Sequence, residues 1–592
     1  MRIHSWLLVG AICFLLMLPS AQAEFDTIIN APPDTVPTSI DSNTQLNLSE
    51  GGAIGSLFHA GHFHGTSTNV EVNIMGGTVD DYLRAYNGST VNISGGSVGN
   101  HFESYAGSVV NITGGTVGRS YDASLNSLLN VSGGSVGTEF TAGFSSIVNI
   151  SGGSFDERFI AKDSSKVRLS GGTFGRNYNF SVRVESGSEF TLVGNEFRVN
   201  GTPLTGLETL GTSLQLDLTD SDLLSGIFAD GTPFAFHRRD DSFASGTLHL
   251  ESATIPSIGP AIVNASTDPL PLGIRNGQTL WVRDEAVVPH SFNLGLGSTL
   301  LIEGGALGRN LEAVDATVNI LGGSVGDRFD ALAGSAVNVS GGSIGDYFFA
   351  RDSTVTVAGG TIGSFFRAAD STVDVFSGSL GHNTSAEEGS EVRFIGGEVP
   401  GRYIAGGGST TSIAGGLFNE MAEFLAYENS SVHLYGTQFE LDGQDITSSL
   451  TYGSQVTIFD RDVRLTGLLA DGSPITIDLY LEGGSGADIF SPNAQLTITL
   501  IKPGDFDQNG VVNADDLTDW RSAYGTTTSN PFNSGDGDGD RDVDGSDFLV
   551  WQRQLASYNL ALSNDTVPEP TALMLGIFAA LVMISSQRVS LF

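Results

Sequence analysis

Two twelve-residue stretches near the end of the chain carry oxygen side chains at a spacing suited to a hard divalent cation. In the first, Asp505, Asp507, Asn509, Asn513 and Asp516 stand at positions one, three, five, nine and twelve. Gly510 falls at the sixth position, where the chain must bend sharply, and the peptide oxygen of Val511 is available at the seventh. Ca2+ takes six to eight oxygen ligands, and a loop with this spacing wraps such a set around one point. The second stretch places Asp536, Asp538, Asp540, Asp542, Asp544 and Asp547 at positions one, three, five, seven, nine and twelve. Arg541 occupies its sixth position in place of glycine, which puts the bend in question. Calcium is therefore the expected cofactor. An acidic, turn-rich linker is the alternative, but it would not repeat an apolar residue, Val512 and Val543, at matching loop positions.

Each loop runs into a predicted helix, Leu517 to Tyr524 and Phe548 to Leu555, and both loops end in Asp rather than Glu. With the loops about 31 residues apart, the segment 504–556 resembles a type I dockerin. The resemblance implies a small α-helical calcium module, over 503–557, and a cohesin-type protein partner. Beside the sorting tail described below, it equally allows a calcium-stabilised spacer with no partner.

Other constellations carry less. His59, His62 and His64 lie within six residues and could hold zinc or copper, but no fourth ligand accompanies them, and a solvated insertion loop is the simpler expectation. Asp81, Asp327 and Asp346, with Arg309, Arg328, Arg351 and Arg367, are the residue types that a polysaccharide lyase or hydrolase would gather on one face. They are scattered as solvated surface residues are. No G-x-S-x-G, HExxH or P-loop pattern occurs, so no catalytic residues are assigned.

The elements that must position these groups follow from a repeat. A glycine pair recurs every 18 or 19 residues, from Gly51-Gly52 to Gly171-Gly172 and again from Gly304-Gly305 to Gly415-Gly416. Four and two residues before each pair stand apolar side chains, such as Val91 and Ile93, Val110 and Ile112, or Val318 and Ile320. That is the period-two alternation of a short strand with one buried face. Three residues after the first glycine comes another apolar residue (Val98, Val117, Ile344). Seven after comes a large one (Phe102, Tyr121, Tyr178, Phe348), and nine after a small one (Ala123, Ala142, Ala350). Three short extended segments per repeat predict an all-β chain wound as a parallel β-solenoid of about three sides, each inward column stacking like on like. An Asn lies between the two strand residues in many coils (Asn73, Asn92, Asn111, Asn149, Asn319, Asn338), pointing outward where stacked amides can form a ladder.

The array breaks and restarts, and the break is itself repeated: residues 225–234, SGIFADGTPF, resemble 466–475, TGLLADGSPI. This duplication predicts a first array with lead-in over 24–192 and its β-rich end module over 193–256. A second array follows over 257–436, with an end module over 437–502. The end modules are expected to cover exposed coil edges.

The first 23 residues read as a secretory signal: Arg2, the apolar run from Leu7 to Leu18, then Ala21-Gln22-Ala23. The single cysteine, Cys13, falls inside it, so the exported chain would carry no disulfide. A formal charge of −39 argues against nucleic acid and against anionic membrane surfaces as partners. After a linker over 558–566, residues 567–592 bring Pro568-Glu569-Pro570, an apolar run and Arg588, which resembles a PEP-CTERM sorting signal with a thin basic end. That resemblance implies an exosortase-type processing enzyme, a membrane-held tail before processing, and a destination in the cell envelope or outside the cell. The expected function is non-enzymatic: structural or adhesive display at a surface or in an extracellular matrix, with an extracellular polysaccharide as a candidate ligand. The alternatives are a polysaccharide-active solenoid enzyme displayed through the dockerin-like module, and a cohesin-docking scaffold subunit.

Overall fold

A computed structural model describes residues 25–562, apart from 176–181, 220–221, 238–242, 244–245, 419–422, 482–487 and 529–530. The expected signal at 1–23, the tail over 567–592, residues 563–566 of the linker and Tyr178 of the aromatic column lie outside the described residues. The chain divides into two compact units, Met1–Ser257 and Ile258–Phe592.

Each unit is a parallel β-solenoid whose coils have three sides. In the first, one coil runs through the strands Val70–Ile74, Thr78–Val79 and Arg84–Ala85, and each strand pairs in parallel with its counterpart in the next coil. Register is held residue for residue: Val110 faces Val91 on one side and Leu129 on the other, and Ile112 faces Ile93 and Val131. The second unit repeats the plan, with Val318 between Leu300 and Val337. A slip of one residue would turn every apolar side chain outward, so the alternation fixes the register.

The predicted columns form the two cores. Phe102, Tyr121, Phe140 and Phe159 line up along the first, and Phe329, Phe348 and Phe366 along the second, all fully buried beside a fully buried small residue, Ser104 for Phe102 and alanine for the others. Ring centroids lie 4.5 Å apart for Phe102 and Tyr121, 4.7 Å for Phe329 and Phe348, and 4.9 Å for Phe348 and Phe366. Those spacings match the roughly 4.8 Å between hydrogen-bonded strands, so the backbone repeat brings the rings into offset contact.

The two glycines of a pair serve different ends. The second adopts a left-handed conformation, with φ of 74° at Gly115 and 69° at Gly342, which a side chain disfavours. The first, for example Gly133, lacks room: a Cβ there would lie 2.5 Å from the carbonyl oxygen of Thr113 in the coil before it.

On the outer face the Asn column is a continuous hydrogen-bonded row in the first unit. Each amide nitrogen donates to the preceding Asn, from Asn149 through Asn130, Asn111, Asn92, Asn73 and Asn47 to Asn30, at 2.8–3.0 Å. Asn338 donates to Asn319 at 2.9 Å in the second.

The end modules terminate the coils by reversing strand direction. Glu189–Val199 begins as a coil strand parallel to Lys166–Phe174 and then pairs antiparallel with Leu223–Phe228, itself in a hairpin with Pro233–His237. Ser431–Leu441, Arg464–Leu469 and Pro474–Asp478 do the same in the second unit. The duplicated Ala-Asp-Gly turn of each hairpin clasps the last glycine corner. Asp230 accepts from the Gly172 N–H at 3.0 Å, and Asp471 from the Gly416 N–H at 2.9 Å. Asp471→Ala is expected to cost about 1–2 kcal/mol and to speed hydrogen exchange in 464–478, while exchange in the coils stays unchanged. Equal exchange in the variant and the parent would remove this role.

Candidate functional site

The two acidic loops share most of their hydrogen-bond pattern, differing in one donor to the first residue. At the first position, Asp505 accepts from the N–H groups of Asn509 and Gly510 at 3.0 and 2.7 Å, and Asp536 from those of Gly539 and Arg541 at 2.7 and 3.0 Å. At the twelfth, one oxygen of Asp516 accepts from Phe506 N–H at 2.7 Å and the other from Asn513 N–H at 2.7 Å. Asp547 does likewise with Gly537 at 2.6 Å and Asp544 at 2.7 Å. Both twelfth residues already lie in a helix. Helix α1 (Ala514–Ala523) is N-capped by Asn513, and α2 spans Gly545–Leu562. The helices thus begin inside the loops, earlier than the expected Leu517 and Phe548, because the loop's last ligand position coincides with the first helical turn. Helix α2 also continues through residues expected in the linker.

Arg541 makes the bend that glycine makes in the first loop. It adopts φ of 73°, against 87° at Gly510.

The donor set consists of oxygen alone: Asp505, Asp516, Asp536 and Asp547 are buried, whereas Asp507, Asn509, Asp542 and Asp544 are exposed. Carboxylate oxygens of Asp505, Asp507 and Asp516 lie within 4.8 Å of one another; so do those of Asp536, Asp538 and Asp540, and those of Asp542, Asp544 and Asp547. Asn509 accepts from the Val511 N–H at 2.8 Å, and its amide nitrogen donates to Asp507 at 2.6 Å; Val511 itself is exposed. Burial pushes the Asp505 carboxyl up to about 6, helped by hydrogen bonding with Asp507 and by the charges of Asp516 and Asp507. Burial, with the neighbouring carboxylates, raises Asp536 and Asp538 to about 7, and lifts Asp540 and Asp547 as well. Crowded carboxylates, beside an Arg541 side chain that is taken up by Glu391, fit a bound Ca2+, whose charge would offset their repulsion.

The helices cross-brace the loops. Trp551 of α2 donates its indole N–H to the Asn513 carbonyl of the first loop at 2.7 Å, and Trp520 of α1 donates to the Asp544 carbonyl of the second at 2.8 Å. Each acceptor is the ninth loop residue, and each tryptophan follows its loop's final Asp by four residues. The sequence reading missed this pair, although its matching placement after both loops was a usable signal. Phe506, Val512 and Trp551 form the small core, with Leu517, Trp520, Phe548 and Leu555 packed against it.

The weaker constellations resolve otherwise. His62 and His64 are exposed with ring centroids 5.4 Å apart, while His59 packs edge-on against Tyr86 at 5.4 Å. Among the described residues they form no cluster of three converging ligand atoms. Asp81 accepts from the Asn100 N–H at 2.7 Å, Asp327 from the Asp346 N–H at 2.9 Å, and Asp346 from the Ser364 N–H at 2.7 Å. These carboxylates tie one coil's backbone to the next. Arg367 is held by Glu387 at 2.6 Å, and Arg351 lies 3.6 Å from Asp352.

No protein family and no curated protein matches the chain. Among solved structures it is similar to the TibC-catalyzed hyper-glycosylated TibA55-350 fragment, at 12% identity, covering 63% of this chain and 99% of that one with a TM-score of 0.15. A likeness of that size adds nothing to what the strands themselves show.

Proposed function

We propose that this chain is an exported, non-enzymatic display protein of the cell envelope or extracellular matrix. Its two solenoids act as structural or adhesive bodies, followed by a calcium-binding module. The observation that supports this reading is the use to which the repeating polar side chains are put. Asn rows, backbone-capping Asp residues and coil-to-coil pairs such as Arg84 with Glu103 and Arg393 with Asp374 bind one coil to the next. Acid–base catalysis needs carboxylates free to meet a substrate. A column of equivalent sites instead suits many weak contacts with a polymer such as an extracellular polysaccharide. Ca2+ is held by Asp505, Asp507, Asn509, Val511, Asn513 and Asp516, and by Asp536, Asp538, Asp540, Asp542, Asp544 and Asp547. The module then serves either a cohesin-type partner or as a spacer ahead of a tail processed by an exosortase-type enzyme.

The test is to incubate the exported chain with a panel of anionic and neutral polysaccharides, reading both co-sedimentation and chain length. Retention without depolymerisation is expected. Shortening of any polymer that is abolished by Asp327→Ala or Asp346→Ala would establish the enzyme in its place.

A further inference from the structure

The calcium module does not hang free of the second solenoid. The segment between its loops inserts Phe532 into a small apolar site made by Ala414, Tyr435 and Ile501, with the Phe532 and Tyr435 rings 5.4 Å apart. Beside it the Arg541 guanidinium donates to Glu391, on the coil strand Glu391–Phe394, at 2.7 Å. Both contacts are organised by one carboxylate. Oδ2 of Asp536 accepts from the Phe532 N–H at 3.2 Å and from the Arg541 N–H at 3.0 Å. Asp536 is the first ligand position of the second loop. The residue that departs from the expected loop pattern, Arg541, is therefore also the one that reaches the coil.

The first solenoid supplies an internal comparison. Gly194 and Gly436 hold the same place in their end-module strands, pairing with Ser252 and Leu500. The residue before each is Val193 in the first unit and Tyr435 in the second, and the residue after the paired strand is Ala253 in the first and Ile501 in the second. The same scaffold carries the larger apolar side chains only where the module docks.

We propose that the flank of the second solenoid formed by Glu391, Ala414, Tyr435 and Ile501 is the docking site for this chain's own calcium module, engaged through Phe532 and Arg541, and that Ca2+ in the second loop controls the docking. The inference rests on the reading that the loops bind calcium. With the ion present, Asp536 is fixed and holds the Phe532 and Arg541 backbones in their docked places. Without it, the gathered carboxylates repel, the loop opens, and both docking residues lose their shared anchor. The docked face of the module is then unavailable to another protein while calcium is bound, so an external partner has to use the surface turned away from Phe532.

Spin labels on the exported full-length chain, at Glu398→Cys on the coil and Arg521→Cys on α1, both exposed positions, read the docking directly. Calorimetry with CaCl2 alone reads ion binding on the same samples. The expected result is a narrow distance distribution with calcium and a broad one with chelator. Arg541→Gly should keep the calcium heat, because glycine adopts the left-handed bend freely, yet lower the docked-to-undocked ratio about tenfold or more. Phe532→Ala should do the same. Calcium binding with identical distributions in calcium and chelator, or with both variants still docked, overturns the latch alone. Absence of any calcium heat overturns the calcium reading beneath it, and the latch with it.

Discussion

Chelating calcium from the exported chain at pH 7.5 is expected to melt residues 503–562 while the β signal of both solenoids persists. The module's core is a handful of side chains around Phe506, Val512 and Trp551, too few to stabilise so short a segment alone. An ion that binds only the folded form adds about 2.7 kcal/mol at a hundredfold excess over Kd, and about 4.1 kcal/mol at a thousandfold. Two such sites would decide whether the module folds. The pH dependence has opposite signs in the two states. In the metal-free module the carboxyls of Asp505, Asp536 and Asp538 are raised to about 6, 7 and 7, against about 3.9 for an unfolded Asp. Their contribution is fully present below the unfolded value and is lost as pH rises through 6 to 7. The metal-free module is therefore more stable at pH 5 than at pH 8. The loaded module behaves in reverse, since protons compete with Ca2+ for the same oxygens. Fluorescence melts reporting Trp520 and Trp551, with calcium or chelator at both pH values, check this. A melt indifferent to chelator at pH 7.5 would refute it.

Truncating the buried aromatic column should be the most damaging change in the coils. Phe348 sits between Phe329 and Phe366, stacked on both and fully buried. Phe348→Ala removes two ring contacts and leaves a cavity that coils locked in register cannot close, at about 3–5 kcal/mol. Phe365, next to Phe366 in sequence, is 39% exposed and stacks on Tyr347 from outside. Phe365→Ala should cost under about 1 kcal/mol. Because each coil touches only its neighbours, the Phe348 loss should appear first as faster hydrogen exchange in the adjoining coils. Equal urea midpoints for the two variants would count against the stacked core.

The columns were legible in the sequence because each recurs in coil after coil, so one coil's pattern predicts the next. Val110, Phe102 and Ala123 are buried as their positions require. The same periodicity could have exposed a further column that went unread. Ser108, Ser127, Ser146 and Ser165 are buried at a coil corner, as are Ser335, Ser353, Ser371 and Ser390 in the second unit. Several turn the hydroxyl back onto their own coil, as Ser108 does to the Tyr105 carbonyl at 2.6 Å and Ser335 to Leu332 at 2.8 Å. Serine in a β-rich repeat reads as surface, and only the closed corner makes it interior. The gathering of Asp505, Asp507 and Asp516, and of the six aspartates of the second loop, was legible from spacing, since a loop is local. The contacts that place the loops were not. Asp471 meets Gly416 across 55 residues, and Arg541 meets Glu391 across 150. Pairings at that distance leave no trace in local composition. Trp520 and Trp551 lie between these cases, because their partners are remote but their repetition after both loops is not.

The Asn row of the first solenoid has an electrical direction. Every amide between Asn30 and Asn149 donates toward the amino-terminal coils, so the side-chain dipoles add head to tail as peptide dipoles do along a helix. Each bond polarises the next. The acceptor end, at Asn149, is in register with Arg168 of the following coil, whose guanidinium is paired with Glu251. The row therefore behaves as one polarised wire, and cutting it at Asn92 or Asn111 divides a cooperative unit, whereas trimming Asn30 merely shortens it.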